Sequence, residues 1–195
     1  MAREEIKIMV SSAVYGFERG LRQICATIES YKSTKYEYKV LNSYIGTIYV
    51  PPNASNLEAC LNAVEECDFF LGIILPRYGS GFTHQEFTKA IELDKPRGYL
   101  SHFSVRYARA LLEQYMYTDI PNRVRNPNFI FTKTQVFEDS RIIDMYNEAI
   151  GDGLPIESRR WAHEFGLFEG DEIRFVDTEF KNINRLKDDL DSLAQ

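Results

Sequence analysis

Residues Cys67–Phe87 run CDFFLGIILPRYGSGFTHQEF. Phe69 to Leu75 is almost wholly apolar, which suits a central parallel strand covered by helices on both faces. A glycine-punctuated loop follows, Arg77-Tyr78-Gly79-Ser80-Gly81, and then a helix opening at Thr83-His84-Gln85-Glu86. In open α/β sheets, ligands bind just beyond the carboxyl ends of such strands. A carboxylate, a histidine, small hydroxyls and two glycines therefore gather where a nucleotide-like ligand is expected.

Outward from this stretch the chain alternates strand and helix. Ile6 to Val10 reads as a short apolar strand ending in Ser11-Ser12, and Leu21, Ile24, Cys25 and Ile28 fall on one helical face. Tyr36 to Leu41 alternates like a strand with one wetter side. After a loop holding Pro51, Pro52, Asn53 and Ser55, Leu57, Cys60, Leu61 and Val64 again mark a helix. Beyond the central strand, Phe87, Ala90 and Ile91 face inward on the helix carrying Glu86, and Lys95-Pro96 closes it. Gly98 to Phe103 predicts a fourth strand, Ala108, Leu111, Leu112 and Tyr115 a helix, and Asn128 to Phe131 a short fifth strand. Alternation of this kind predicts one α/β domain, three layers about a five-stranded parallel sheet in the flavodoxin-like order 2-1-3-4-5.

The alternation stops near Thr132. Ile142, Met145, Tyr146 and Ala149 give one more amphipathic helix, Trp161 and Phe165 a short one, and Ile183, Leu186, Leu190 and Leu193 a final stripe. The expected organisation is a single domain over residues 1–195, with its core at 5–132 and a helical C-terminal extension at 133–195. The last stripe is under two heptads long, so docking on its own domain is preferred to a dimer seam.

Composition narrows the function classes. The 195 residues are 44% hydrophobic and 27% charged, which is globular rather than disordered. A net charge of -6 and no basic stripe argue against nucleic acid as a partner. No apolar run reaches membrane-spanning length and no leader opens the chain, so neither membrane nor secretion is expected. The three cysteines, Cys25, Cys60 and Cys67, form no C-x-x-C pair; they read as reduced core thiols in a cytoplasmic protein. No metal is expected: His163 stands far along the chain, there is no H-E-x-x-H, and no cysteine has ligand spacing. Nor is there a G-x-S-x-G elbow.

Lys7-Ile8-Met9-Val10-Ser11-Ser12, Asn56-x3-Cys60, Glu66 to Ile74, Arg77 to Gly81, Thr83 to Phe87 and Lys95-Pro96-Arg97 together resemble a family of TIR-like domains of unassigned function. The resemblance covers roughly residues 5 to 150. That family's members occur alone in bacteria or in front of signal-transduction NTPases. The resemblance implies a flavodoxin-like fold related to TIR domains and nucleoside deoxyribosyltransferases. Enzymes among those relatives cleave N-glycosidic bonds, using a glutamate at the start of the helix after a central strand. It thus implies Glu86 as catalyst, NAD or a related nucleotide as substrate rather than a bound cofactor, and a role in bacterial antiviral defence. Implied partners are a nucleotide, a second copy in a homo-oligomer, and an effector or signal-transduction NTPase.

Each candidate residue has a plainer reading beside the functional one. A carboxylate beside a ribose can stabilise an oxocarbenium-like centre; Thr83-x-x-Glu86 is also a capping box. Ser11 and Ser12 can hold a ribose or phosphate, or cap the following helix. Gly79 and Gly81, with Ser80 between them, allow a ligand to approach the backbone, or simply make a tight turn. Arg77 and Tyr78 supply a cation and a stacking face, or edge the sheet. Arg19 is a phosphate clamp or a solvated charge. His84 belongs to the loop as a site residue or a structural one, and His102, at the end of the fourth strand, is placed to approach it.

The expected site is thus the carboxyl edge of the first and third strands, where the largest ligand-sized cleft should open. Three readings stay open: an enzyme acting on the N-glycosidic bond of NAD or a related nucleotide, a non-catalytic TIR-like assembly or nucleotide-sensing module, and a nucleoside deoxyribosyltransferase-like exchange enzyme.

Overall fold

The computed structural model describes residues 3–168 and 170–193. In chain order the elements are β1 (Glu4–Ser12), α1 (Glu18–Ser30), β2 (Tyr36–Leu41), α2 (Asn56–Glu66), β3 (Phe69–Ile74), α3 (Phe82–Glu92) and β4 (Arg97–His102). There follow α4 (Phe103–Met116), β5 (Tyr117–Asp119), β6 (Val124–Arg125), α5 (Arg141–Ile150), β7 (Ala162–Phe165), α6 (Asp171–Phe180) and α7 (Ile183–Leu193). Five strands form a parallel sheet in the order β2-β1-β3-β4-β7, while β5 and β6 make a small separate antiparallel ribbon. This is a flavodoxin-like α/β architecture.

Period-two alternation divides the sheet between two cores. Ile6, Ile8 and Val10 of β1, with Phe69, Leu71 and Ile73 of β3, face α1 and the C-terminal helices. Met9, Phe70 and Ile74 face the opposite way, onto α2, α3, α4 and α5. Every residue of β3 is buried, because the strand has sheet neighbours on both edges and helices on both faces. Gly72 sits at its centre, where a Cβ would come within 2.4 Å of the Phe87 ring. The glycine thus makes room for Phe87 and Tyr99 to stack across the strand, their centroids 5.3 Å apart.

Three expectations are corrected. Asn128–Phe131 is not a strand. Its alternation is real, since Phe129 and Phe131 pack on the second core and Ile130 points out, but the free edge of β4 is taken elsewhere. The fifth sheet strand is Ala162–Phe165, within the segment expected to be wholly helical. It pairs Tyr99 with Ala162 and His102 with Phe165. Two apolar residues four apart read there as a helix, yet Trp161 lies outside the strand and is exposed. The core therefore does not end near residue 132: β7 completes the sheet, and Phe175, Val176, Phe180, Ile183 and Leu186 cover one face of it.

On α4 the inward face runs through Val105, Ala108, Leu112 and Met116, leaving Leu111 and Tyr115 exposed. Ala108, Leu111, Leu112 and Tyr115 therefore straddle two faces of that helix. By contrast, α7 docks on its own domain through Ile183 and Leu186, as its pattern predicts. No described helix is long and apolar enough to cross a membrane.

Candidate functional site

Glu86 begins as a matter of helix geometry. α3 is capped by Gly81 in the left-handed conformation, with φ of 81°, and no side chain caps it. Thr83 is therefore inside the helix, and the capping box expected over Thr83 and Glu86 does not form. A capping box does form one helix earlier, between Ser55 and Glu58 at the start of α2. Glu86, freed from that role, turns inward to the sheet. The Ser11 hydroxyl at the end of β1 donates to its Oε2, joining residues 75 apart in the chain.

The carboxyl is only 5% exposed. Burial, the largest influence, pushes its pKa above the ordinary carboxylate value, while hydrogen bonds from the Ser11 hydroxyl and the Cys60 thiol pull it back. The thiol itself is pushed up to about 12, first by burial and then by the neighbouring Glu86 charge. It therefore stays protonated and acts as a donor, a role invisible in the spacing of the three cysteines. Ser11 and Ser12 do not cap α1, whose N-cap position is Phe17. Ser12 Oγ instead donates to the Ala13 carbonyl.

The loop after β3 is held from outside by a residue the sequence did not single out. Glu138 Oε2 accepts from the backbone amides of Tyr78 at 2.7 Å and Gly79 at 3.1 Å. The Gly79 amide foremost, then the Lys133 ammonium and the Tyr78 amide, hold its carboxyl below the usual range against burial. The Tyr78 ring lies under the Arg141 guanidinium, 4.2 Å from its centroid. Its hydroxyl lies 2.9 Å from His84 Nδ1, and His84 Nε2 lies 2.9 Å from Glu148 Oε2.

An ionised carboxylate only accepts, so Nε2 carries a proton directed at Glu148, and the ring bridges that carboxylate to the Tyr78 hydroxyl. Burial is the largest influence on Glu148 and pushes its pKa up, but hydrogen bonds from His84 and Thr88 together with nearby positive charge outweigh it and leave the carboxyl below its usual range. His84 is thus a support that orients Tyr78 from behind, and it does not line the cleft that holds Glu86.

That cleft, of about 320 Å³, lies beyond the ends of β1 and β3. Ser11, Ser12, Tyr78, Gly79, Ser80 and Glu86 all line it, and so does Arg77. Asn42, Ser43 and Tyr15 join them from loops whose sequences carry no motif. Asn42 is buried and tied down, its Nδ2 donating to the Val10 carbonyl at 2.7 Å. Gly81 and His84 lie on a shallow neighbouring hollow behind Tyr78. Arg19 is exposed on α1 and lines none of these clefts. His102 belongs to another cleft, with its Nδ1 bonded to the Ser104 hydroxyl at 2.7 Å, so the two histidines are not brought together.

Size alone does not single out this place. A larger cleft, of about 600 Å³, opens at the opposite, amino edge of the sheet, between α7 and the starts of β3 and β4. The expectation that the carboxyl edge would hold the largest one is corrected by this. The amino-edge trough exists because α7 crosses below the sheet, and it is ringed by exposed Glu4, Asp94 and Asp189. Among the described residues, no three His, Cys, Asp or Glu side chains come together as metal ligands would.

Comparison with known proteins places the chain more broadly than the site does. No curated protein matches it. Among solved structures it is similar to a 2-desoxiribosyltransferase from Leishmania mexicana, at 15% identity and a TM-score of 0.38, over 73% of this chain and 97% of that one. The model of the family described as Domain of unknown function (DUF4062) matches residues 7–151, which takes in β1 from Lys7 onward, all of β3 and α3, and every residue lining the Glu86 cleft. Since that match spans well over half of the 195 residues, the chain belongs to the DUF4062 family.

Proposed function

We propose that the protein cleaves the N-glycosidic bond of a nucleotide, with Glu86 as the catalytic carboxylate. One observation carries this reading: Glu86 is free of the capping role its sequence suggests, is nearly buried, and faces a ligand-sized cleft at the carboxyl edge of the sheet. In such a cleavage the base leaves with the electron pair of the C–N bond and gains a proton. The sugar carbon becomes oxocarbenium-like, and water then adds its hydroxyl to it. An ionised Glu86 stabilises that positive centre directly or forms a transient ester with it. Ser11 holds the carboxylate in place, and Tyr78 offers a face against which a planar base can lie. NAD hydrolysis fits this chemistry, and deoxyribosyl exchange differs only in replacing water with a second base.

The test is incubation of the purified protein with NAD and a panel of nucleosides and nucleotides, the products read by mass spectrometry. Release of a free base supports the reading. Its absence across the panel, at all pH values between 5 and 9, removes it.

One observation favours a second reading, an assembly module. Tyr107, Leu111 and Tyr115 stand at four-residue spacing on the outer face of α4, and all three are more than half exposed. On this reading a second copy covers that stripe, and Leu111→Glu shifts the protein to monomer in sedimentation without changing its fold. A wild type that is monomeric at every concentration rules it out.

A further inference from the structure

The Glu86 cleft has a neighbour. A second cleft of about 460 Å³ opens beyond the ends of β3, β4 and β7, and the two share Tyr15 and Arg77 as a common wall. Phe17, Phe165 and Phe168 give the second cleft its apolar sides. His102 forms part of its wall, in a tautomer that can be deduced. The Ser104 backbone amide points to His102 Nδ1 at 3.3 Å, and an amide can only donate. The ring proton is therefore on Nε2. Burial holds the His102 pKa below its ordinary value, which keeps the ring neutral. With Nδ1 occupied by Ser104, the ring's remaining polar group is one donor, Nε2–H. Arg77 lines both clefts; among the described residues its guanidinium donates to the Gln135 carbonyl, at 3.3 Å, and makes no ion pair.

We propose that the two clefts are halves of one site for a phosphate-bridged dinucleotide. The sugar whose bond breaks lies beside Glu86, the bridging phosphates lie at Arg77, and the second base lies against the aromatic rings with an acceptor on His102 Nε2–H. Each cleft alone suits a single nucleoside. A guanidinium on the wall between them, with no ion-pair partner among the described residues, supplies the charge a linking phosphate needs. Aromatic faces accept any base, and the histidine donor adds selectivity. The orientation of the ligand rests on the N-glycosidic reading of Glu86; occupancy of both clefts does not.

The experiment is calorimetric titration of the Glu86→Gln protein with NAD, nicotinamide mononucleotide and AMP. NAD is expected to bind roughly tenfold or more tighter than either mononucleotide. His102→Asn keeps a good helix cap for α4 while removing the Nε2–H donor. It should weaken NAD and AMP by about tenfold and leave nicotinamide mononucleotide within about twofold. Phe168→Ala, at a largely exposed ring with little part in folding, should produce the same selective loss.

Equal affinities for NAD and the mononucleotides, equal losses for all three ligands in both variants, or no binding of any of them overturns the proposal. If the dinucleotide pattern appears but wild-type protein cleaves no N-glycosidic bond, the role given to Glu86 fails and the two-cleft site stands. Cleavage of nucleosides and NAD with one common KM has the opposite meaning.

Discussion

Glu86 shows how one side chain is assigned by its neighbours rather than by its motif. In Thr83-x-x-Glu86 the spacing of a capping box is present, but Gly81 takes the cap and the carboxyl is left to bond Ser11. Glu86→Gln keeps the shape and still accepts the Ser11 hydroxyl, yet carries no charge. Turnover in the base-release assay should fall by on the order of a hundredfold or more.

Stability should move the other way. Because the folded pKa is raised above the ordinary 4.5, the folded chain holds this proton more tightly than the unfolded chain does. Stability therefore falls as pH rises through that window, and the full penalty is present above it. Glu86→Gln removes the penalty, so the variant should melt at a higher temperature than wild type near neutrality. The difference should close below pH 4.5, as thermal melts at several pH values will show.

The same raised pKa places the acid limb of the pH–rate profile above 4.5, since catalysis needs the ionised form. Ser11→Ala removes a bond that lowers this pKa, and should move that limb to still higher pH.

At the scale of elements, the site depends on β3 and α3 lying close. Gly72 permits this, because any Cβ there would meet both Phe87 and Tyr99 within 2.8 Å. Gly72→Ala should destabilise the protein by about 1–3 kcal/mol in urea unfolding, as overpacked cores do. It should also displace α3, and Glu86 with it, so activity is expected to fall more than stability alone explains. An unchanged unfolding midpoint would mean that the Phe87–Tyr99 stack yields easily.

For the whole molecule, the family match and the folding unit do not coincide. The match ends at residue 151, but β7, the edge strand of the sheet, lies beyond it, and so do α6 and α7, which share with α1 the covering of one sheet face. A chain cut at 151 leaves Ile6, Ile8, Leu71 and Leu100 without Phe175, Val176, Phe180, Ile183 and Leu186. Leaving that contact surface open, at about 1.5–3 kcal/mol per buried side chain, costs an amount comparable to the roughly 5–15 kcal/mol by which domains are stable. The fragment 1–151 should therefore aggregate, or lack a cooperative thermal transition by circular dichroism. A fragment that melts cooperatively would show the C-terminal helices to be accessory.

The amino-acid order by itself determined the central strand, the loop with its two glycines, the first four β strands and the cluster at the carboxyl edge. These are local patterns, since periodicity and turn chemistry act over a few residues at a time. Tertiary structure alone decided which segment completes the sheet. Asn128–Phe131 alternates as well as Ala162–Phe165 does, but a strand exists only where an unpaired edge meets it, and β4 offers one edge.

Tertiary structure also decided the partners of Glu86. Ser11 and Cys60 reach it through sheet order and helix packing, at separations no spacing rule covers. Glu138 and Glu148 hold the Tyr78 loop from sixty and more residues away in the same manner. A motif names the residue types a site can use; their roles are decided by which backbone amides and hydroxyls the fold leaves within reach.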